Sequence, residues 1–409
     1  MNKISVAIVG CGASGSDIAL QLSKTNLFSN LLLLDINPKR TKKLSKKLRS
    51  INKKISISTF RIDATNSDSL SKLLLDVDIV INASSPLCNL PIMEACLESG
   101  THYLDLASDP FRYSGIEKGT TIDEQLELND RFIQENLIAI TNTGFSPGLT
   151  DIICKHVVND YSLDSLISVK IHFAEVINSK KLVLSWSPYI LLLEVISPPT
   201  VFSNGSINEI SSQESSRQIN FPEPIGKINI RIFNGHPELR TIPDFLDVPV
   251  KYIEIGGGMR LNDMQLNDII VESLCNQIKK SVIVTGDLLS ELSKHFESPD
   301  EFSDNYRKGI ITKEVFTSII EIKGKKSDKV LEYRAVIQQD LDEIFENIFG
   351  SVATFMVSFV PAIIANEIKS GNINQTGVIA PAALDVASDI LNKCKIQGLH
   401  IDESIKWIN

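Results

Sequence analysis

A glycine-rich turn near the start of the chain constrains its fold more than any other feature. An apolar run, Val6 to Val9, leads into Gly10-x-Gly12-x-x-Gly15, and a segment of helical periodicity follows. Such glycines permit a tight turn, close approach of a pyrophosphate and close packing of helix on strand. The helix start adds unpaired N–H groups and a positive dipole end. The pattern predicts a dinucleotide site formed by Gly10, Gly12, Ala13, Ser14 and Gly15.

An acidic residue follows at the expected distance. The second apolar run ends at Asp35, about 20 residues beyond the glycines, where a carboxylate typically binds the adenosine ribose 2′-hydroxyl. A carboxylate repels a 2′-phosphate and therefore favours NAD. Lys39 and Arg40 lie close enough in sequence to accept that phosphate. We therefore predict NAD as the cofactor, with NADP possible and Arg40 near the ribose.

Strands and helices continue to alternate through the first 150 residues. Further strands are predicted at residues 55–62, 77–81, 102–106 and 138–141. This alternation predicts an α/β fold with a doubly wound parallel sheet of the Rossmann type. Ligands of such sheets lie beyond the carboxyl ends of the strands. The cofactor-binding candidates at those ends are Asp63, Ala64, Asn82, Ala83, Ser84, Ser85 and Asp105.

The pattern changes near residue 151, where strands no longer alternate regularly with helices. Strands are predicted at 168–176, 182–186, 228–233, 250–255 and 315–322, with helices at 263–280 and 287–295. Residues 203–220 are predicted to form a polar loop with a turn at Asn204-Gly205. This composition predicts an α+β substrate domain.

The carboxyl-terminal segment is too apolar to stand alone. A long apolar helix is predicted at 350–368, and residues 377–393 carry further apolar positions that need a partner surface. We therefore predict three segments. They are a nucleotide-binding domain (1–148), an α+β substrate and dimerisation domain (149–355), and helices that return to the first domain (356–409).

Composition excludes several classes of protein. The net charge is −9 and the pI is about 5.3, which argues against a nucleic-acid surface. Six scattered cysteines without a CxxC pair indicate reduced thiols, and no signal peptide precedes the first strand. The apolar run 349–365 contains Pro361 and is short for a bilayer span. We expect a cytoplasmic protein that uses no membrane, nucleic acid or metal.

Several separated motifs carry a family resemblance. They are Asp78-Ile-Val-Ile-Asn-Ala-Ser-Ser-Pro86, the segment 90–105, Gly144-Phe-Ser-Pro-Gly-Leu149, Ser185-Trp-Ser-Pro188, His236-Pro-Glu-Leu-Arg-Thr-Ile-Pro243 and Gly377-Val-Ile-Ala-Pro381. In this order they resemble the saccharopine dehydrogenase family. The segment 185–188 is similar to saccharopine reductases, whereas 236–243 looks more like lysine 6-dehydrogenase. The resemblance implies a homodimer that performs NAD(P)-linked redox chemistry at a C–N bond of an amino acid or polyamine.

Amine oxidation restricts the candidate catalytic residues. The nitrogen must lose a proton and an imine must be attacked by activated water, so acid–base groups are needed. We predict Asp105, His236 and Glu238, the last two in a loop after the strand at 228–233; the alternative for Glu238 is a solvated turn residue. The loop at 143–148 adds the cofactor candidates Gly144, Phe145 and Pro147. Predicted substrate-binding residues are Ser85, Tyr103, Trp186, Arg240 and Thr241.

Two other functions remain open at this point. One is homospermidine-synthase-like transfer, which uses bound NAD without net redox change. The other is a non-catalytic sensor that binds NAD(H) and reports its redox state through a partner. Net reduction of NAD on turnover would separate the dehydrogenase from the transferase, and absence of turnover with any amine would favour the sensor.

Overall fold

The computed structural model describes residues 5–25, 27–109, 119–185, 198–262, 264–265 and 294–408. The chain forms two compact units. The first, the nucleotide unit, comprises Met1–His156, Asp244–Leu246 and Phe355–Gln397. The second, the substrate unit, comprises Val157–Pro243, Asp247–Thr354 and Gly398–Asn409.

The nucleotide unit is built on a parallel sheet of seven strands. In chain order these are β1 (Ser5–Val9), β2 (Asn30–Asp35), β3 (Ser56–Arg61), β4 (Ile79–Asn82), β5 (His102–Asp105), β6 (Ile138–Ile140) and β16 (Gly377–Ile379). Their spatial order is β16-β6-β5-β4-β1-β2-β3, so strands after β3 are added on the other side of β1. The predicted Rossmann-type α/β fold is confirmed.

Helices cover this sheet between its strands. They are α1 (Ala13–Lys24), α2 (Pro38–Ile51), α3 (Ser67–Leu74), α4 (Asn89–Ser99), α5 (Ile122–Leu126), α6 (Asn129–Gln134) and α7 (Thr150–Tyr161). On one face, Leu74 of α3, Met93 of α4 and Phe132 of α6 join a single buried cluster with Val9 and Tyr103. Burial of one such large apolar side chain contributes about 1.5–3 kcal/mol, so this layer stabilises the sheet strongly.

The segment after residue 355 adds a strand and two helices to the nucleotide unit. Helix α13 (Phe359–Lys369) contacts α1 and β5, and α14 (Ala387–Ile396) packs on α13. Strand β16 extends the sheet beside β6 in parallel register, with Val378 opposite Ala139. The predicted helix at 350–368 is divided at Ser358 into α12 (Val352–Val357) and α13. The window Val352–Lys369 has the length and hydropathy of a membrane span, and 89% of it is buried in the protein.

The described residues of the substrate unit contain a mixed sheet of ten strands. They are β7 (Ser165–Ser179), β8 (Thr200–Ser203), β9 (Ser206–Glu209), β10 (Ser216–Asn220), β11 (Lys227–Ile232), β12 (Tyr252–Leu261), β13 (Met264–Gln265), β14 (Ile311–Lys326), β15 (Lys329–Asp340) and β17 (Ile401–Ile408). The main order is β10-β11-β12-β7-β14-β15-β17, and β12 and β7 run parallel. Helices among its described residues include α8 (Ser212–Ser215), α9 (Glu238–Phe245), α10 (Pro299–Arg307) and α11 (Leu341–Ile344).

Some local predictions for this unit were wrong. Residues 203–220 contain β9, α8 and β10 instead of one loop, although the Asn204-Gly205 turn is confirmed, with φ of 53° and 83° in the β8–β9 hairpin. Glu238 begins helix α9, so it does not lie in a loop. The helices predicted at 263–280 and 287–295 lie almost entirely outside the described residues. The predicted boundaries at 148/149 and 355/356 stay predictions, and Gly398–Asn409 belongs to the substrate unit.

Candidate functional site

The three glycines of the turn differ in what a side chain at each position would contact. Gly10 has φ +92°, and a Cβ there would lie 2.8 Å from the backbone of Ala83. A Cβ on Gly15 would lie 1.9 Å from the carbonyl oxygen of Gly10. A Cβ on Gly12 would meet no described atom within 4 Å. The first and third glycines are therefore required by the fold, whereas the second faces open space of the kind that a pyrophosphate fills.

The start of α1 is suited to an anion. Gly12 is the N-cap residue, no side chain caps the helix, and its first turn carries no acidic residue. The N–H groups of the first turn, which includes Ala13, Ser14 and Gly15, have no acceptor four residues earlier in the helix. The helix dipole and these donors favour a phosphate at this position.

Asp35 lies at the carboxyl end of β2 and holds the glycine turn. Its carboxylate accepts hydrogen bonds from the backbone N–H of Cys11 at 2.8 Å and of Asn37 at 2.7 Å. The residue is only 5% exposed, and Arg40 Nη1 lies 4.0 Å from Oδ2. A carboxylate has about four lone-pair sites, so two remain for a ribose hydroxyl. Asp35 therefore fixes the loop in addition to its predicted ribose role.

Asp63 lies beyond the end of β3, followed by Ala64. Asp63 Oδ1 accepts from the backbone N–H of Thr65 at 3.1 Å and from its hydroxyl at 2.7 Å. These bonds lower the pKa of Asp63, an exposed carboxyl group. The residue closes a local turn at the ligand edge of the sheet.

The segment after β4 is held by the side chain of Asn82. Asn82 Oδ1 accepts from the backbone N–H of Ser84 at 3.0 Å and from its hydroxyl at 2.5 Å, while Nδ2 donates to Asn89 at 2.8 Å. Ser85 Oγ accepts from the N–H of Leu87. The Ala83 backbone lies against Gly10. Residues 82–85 thus form a fixed wall beside the glycine turn.

Asp105 is the centre of a buried polar network at the end of β5. Its carboxyl group accepts from Gln125 Nε2 at 2.6 Å and from the backbone N–H of Asn142 at 2.7 Å. Burial raises the pKa of Asp105 to about 7, although hydrogen bonds from Asn142, Gln125 and Tyr103 oppose the shift. Tyr103 is completely buried, and its hydroxyl group also contacts Asn82 Nδ2 at 3.3 Å. Asp105 is therefore poised to carry a proton near neutral pH.

The loop after β6 is attached to this network. Thr143 donates to the carbonyl of Asp105 through its N–H at 2.7 Å and through its hydroxyl at 2.6 Å, and Gly144 N–H donates to Leu106. A Cβ on Gly144 would lie 2.8 Å from the Leu106 carbonyl oxygen. Phe145 and Pro147 are buried. This loop joins the ends of β5 and β6 at the cofactor edge of the sheet.

In the substrate unit, His236 and Glu238 form a direct pair. His236 Nδ1 lies 2.5 Å from Glu238 Oε2, and both side chains are buried. Glu238 is 0% exposed, which rules out the alternative of a solvated turn residue. A buried carboxylate beside Nδ1 orients the imidazole and favours the tautomer with hydrogen on Nδ1. Nε2 is then the ring nitrogen that can accept a proton.

Aromatic rings position this pair. His236 stacks on Phe233 at 5.9 Å between ring centroids, and Phe233 packs against Phe173 at 5.2 Å. Gly257 on β12 makes room for both phenylalanines, because a Cβ there would come within 2.7–2.8 Å of their rings. The imidazole thus lies on a fixed apolar surface built from β7, β12 and Phe233, which directly follows β11.

The remaining substrate candidates are distributed between the units. Arg240 and Thr241 lie in α9 with Glu238, and Ser85 and Tyr103 lie in the nucleotide unit. Tyr103 is fully buried, and its hydroxyl group lies within the Asp105 network. Trp186 lies outside the described residues.

The sequence reasoning missed several buried polar groups. Asn142 follows β6 at the ligand edge and could have been found by that position, whereas Gln125 lies on α5 and offers no such signal. On the substrate sheet, Glu254 contacts His172 Nε2 at 3.1 Å and the Tyr252 hydroxyl at 2.7 Å. Burial and the neighbouring Glu314 raise the pKa of Glu175 well above its ordinary value.

The fold and the glycine turn define the class of protein. A parallel sheet with a glycine-rich turn, an uncapped helix start and an acid at the end of β2 is a dinucleotide-binding domain. It is joined here to an α+β unit with its own buried acid–base pair.

The chain belongs to the saccharopine dehydrogenase family. Residues 6–140 match the family's NADP-binding domain, and residues 144–399 match its C-terminal domain. The first match contains the glycine turn, and the second contains His236 and Glu238. NAD(P) is the cofactor of this class of domain.

Curated relatives and solved structures extend this assignment. Carboxynorspermidine synthase of Vibrio cholerae is 25% identical over 64% of this chain and 64% of its own length. Carboxyaminopropylagmatine dehydrogenase of Synechocystis is 26% identical, over 58% of each. The match thus spans less than two thirds of the length of these relatives. Saccharopine dehydrogenase (L-Glu forming) of Saccharomyces cerevisiae has the same fold, with a TM-score of 0.71 at 13% identity over 98% of this chain and 100% of its own.

Proposed function

We propose that this protein is an NAD(P)-dependent oxidoreductase that acts at a C–N bond of a carboxylated amine. The observation that carries the proposal is the open Gly12 at the uncapped start of α1, within a chain whose two halves both match the saccharopine dehydrogenase family. The first feature supports a dinucleotide, and the second supports redox chemistry on an amine.

The cofactor, when bound, accepts or delivers the hydride. Gly10, Gly12 and the first turn of α1 would hold its pyrophosphate, and Asp35 would hold the adenosine ribose. Residues 82–85, which lie beside Gly10, would form a wall of the cofactor site. The buried Asp105 network would keep the loop at 143–148 in place.

His236 and Glu238 would handle the substrate proton. An ammonium nitrogen must lose a proton before its C–N bond can be oxidised. The lone pair that this frees on nitrogen forms the C=N bond as hydride leaves the attached carbon. Nε2 of His236 would accept this proton, while Glu238, at 2.5 Å from Nδ1, stabilises the resulting imidazolium. Arg240, two residues further along α9, would bind a substrate carboxylate.

The relatives support a polyamine-related substrate. Their names, carboxynorspermidine synthase and carboxyaminopropylagmatine dehydrogenase, describe carboxylated polyamine derivatives. Saccharopine and lysine are the other candidates, from the sequence resemblance. All four compounds combine at least one amine with a carboxylate, which suits a histidine–glutamate pair and a nearby arginine. A cytoplasmic location and a homodimeric state remain part of the proposal.

A substrate screen tests the proposal. NAD(P)H formation would be followed at 340 nm with saccharopine, lysine, carboxynorspermidine and carboxyaminopropylagmatine, each with NAD and with NADP. The expected result is turnover of one carboxylated amine, with net reduction of NAD(P) to NAD(P)H. Turnover that transfers an aminoalkyl group without net NADH would instead indicate the transferase alternative. Cofactor binding without turnover on any amine, in either direction, would contradict the proposed oxidoreductase.

A further inference from the structure

A run of positive charge in the nucleotide unit has no part in the chemistry described so far. Residues 38–61, the basic segment, contain ten lysine and arginine residues and no aspartate or glutamate. The whole chain has 41 basic and 50 acidic residues, so the chain outside the basic segment carries a formal charge of −19. Such asymmetry within one acidic chain indicates that an anion is attracted to this place.

The charges of the basic segment face solvent. The segment comprises α2, the turn after it and β3, and the buried residues of α2 are Thr41, Leu44, Ser45 and Leu48. Nine of the ten basic residues are exposed, namely Lys39, Arg40, Lys42, Lys43, Lys46, Arg49, Lys53, Lys54 and Arg61. Like charges three or four positions apart on a helix repel one another, as at Lys39, Lys42 and Lys46. The arrangement lowers stability, which is typical of surfaces kept for a function.

The basic segment begins at the adenosine end of the proposed cofactor site. Arg40 Nη1 lies 4.0 Å from Oδ2 of Asp35, the carboxylate assigned to the ribose. Arg61, at the end of β3, lies opposite Asp35 in the sheet, and its Nε donates to the Ile36 carbonyl at 3.2 Å. The first turn of α2 carries Lys39 and Arg40 and no acid, although the positive end of a helix dipole disfavours cations. A bound anion at this end would offset that repulsion.

From this end the positive charge continues along the surface of the nucleotide unit. α2 has 14 residues and is therefore about 21 Å long, and Lys53 and Lys54 follow it. The Debye length is about 8 Å at physiological ionic strength, so each group of charges attracts an anion over a short range and successive groups overlap. An anion that meets the basic segment would be kept near the surface while it diffuses to the ribose site.

We propose that the basic segment steers the anionic dinucleotide to its site and accelerates its association, NADP(H) more than NAD(H). This rests on the dinucleotide site of the proposed function. Both cofactors carry a pyrophosphate, and the 2′-phosphate of NADP(H) adds a charge of about −1.5 to −2. The formal charge of −19 on the rest of the chain would repel them elsewhere. A cationic amine substrate has the opposite sign, so the same charge asymmetry would draw the two ligands to different parts of the surface.

Stopped-flow fluorescence of NADPH and NADH binding to the full chain tests this steering. If ten charges raise the association rate constant of NADPH about 100-fold at about 10 mM salt, as is usual for steered ligands, three of them contribute about 4-fold. The test variant replaces three exposed lysines beyond the first turn of α2, by Lys42→Gln, Lys46→Gln and Lys54→Gln. It should slow NADPH association about 4-fold and NADH association less, with unchanged dissociation rates. At about 1 M salt, variant and wild type should associate with NADPH equally fast.

A control variant and a melting measurement complete the test. Lys308→Gln, Lys326→Gln and Lys329→Gln together remove the same charge from exposed positions of the substrate unit and should leave both association rates unchanged. The test variant should melt no lower than the wild type, because neutral side chains relieve the repulsion along α2.

Three results would overturn the steering while leaving the dinucleotide site intact. They are a wild-type NADPH association rate that does not fall with salt, an unchanged rate in the test variant, and an equal loss in the control. Failure of both cofactors to bind would instead contradict the dinucleotide site, and the steering with it.

Discussion

Replacing Asp105 with asparagine should make the nucleotide unit more stable at pH 8 than the wild type. Burial raises the pKa of Asp105 to about 7 in the folded protein, against 3.8 for the ordinary group. The folded state therefore binds a proton that the unfolded chain has released. Stability from this group is fully present below about pH 3.8 and is lost as the pH rises toward and through 7. Asparagine does not titrate, so the variant avoids this loss.

The magnitude follows from the two pKa values. Between pH 4.5 and 8 the wild type should lose about 3 kcal/mol of unfolding free energy from this group alone. A unit of roughly 200 residues changes its melting temperature by about 2–4 °C per kcal/mol. The difference in melting temperature between variant and wild type should therefore grow by on the order of 10 °C over this range.

The substitution should fit the site. The asparagine oxygen can accept from the Asn142 N–H, as Asp105 does at 2.7 Å. Gln125 Oε1 is buried without a hydrogen-bond partner, so rotating that amide would let it accept from the new side chain. At pH 4.5 variant and wild type should thus melt at similar temperatures.

Differential scanning calorimetry from pH 4.5 to 8 would measure the effect. Asp76→Asn, an exposed change in the same unit, is the matched control and should not alter the pH profile. A constant difference in melting temperature between Asp105→Asn and wild type across this range would refute the raised pKa of Asp105.

Five further variants have specific expected outcomes. Gly12→Ala should melt like the wild type but bind NAD(P) at least roughly tenfold more weakly by fluorescence titration, whereas Gly15→Ala should fail to fold, because its Cβ would lie 1.9 Å from a backbone oxygen. Asp35→Asn should weaken NAD binding by about 1–3 kcal/mol and NADP binding by less; equal losses would argue against ribose discrimination. Glu238→Gln should lower kcat/KM for the amine substrate about 100-fold, or about 2.7 kcal/mol, with unchanged cofactor affinity, and wild-type kinetics would remove its proposed role. Truncation after Ser370 should give insoluble or unstable protein, since it deletes β16 and α14, and a soluble product with normal NAD affinity would contradict this.

The sequence was most informative where local rules determine structure. The run from Val6 to Gly15 shows a strand period, a glycine-rich turn and a helix period one after another, so a short window of sequence displays the whole motif. The same holds for the Asn204-Gly205 turn, where both residues adopt positive φ. These features could be predicted from short windows.

Sequence reasoning failed where tertiary packing decides. Gln125 reaches Asp105 from a helix 20 positions away, and nothing in the local pattern marks it. The polar residues at 206–220 form strands because β8 and β11 offer them backbone partners. Glu238 is buried because it begins α9 and pairs with His236. The intervening Pro237 had instead indicated a loop. Polar residues with specific tertiary partners were therefore predicted wrongly to lie in loops, or were overlooked.

Strand β16 has a consequence for how the protein is made. Its backbone bonds to Leu137 and Thr141 complete the edge of the sheet beside β6, yet it lies roughly 240 residues later in the chain. At about 5–20 residues per second, a ribosome needs on the order of 10–50 s to synthesise that interval. During this time the β6 edge is exposed in the nascent chain. The nucleotide unit therefore completes its sheet only after the substrate unit between β6 and β16 has been synthesised.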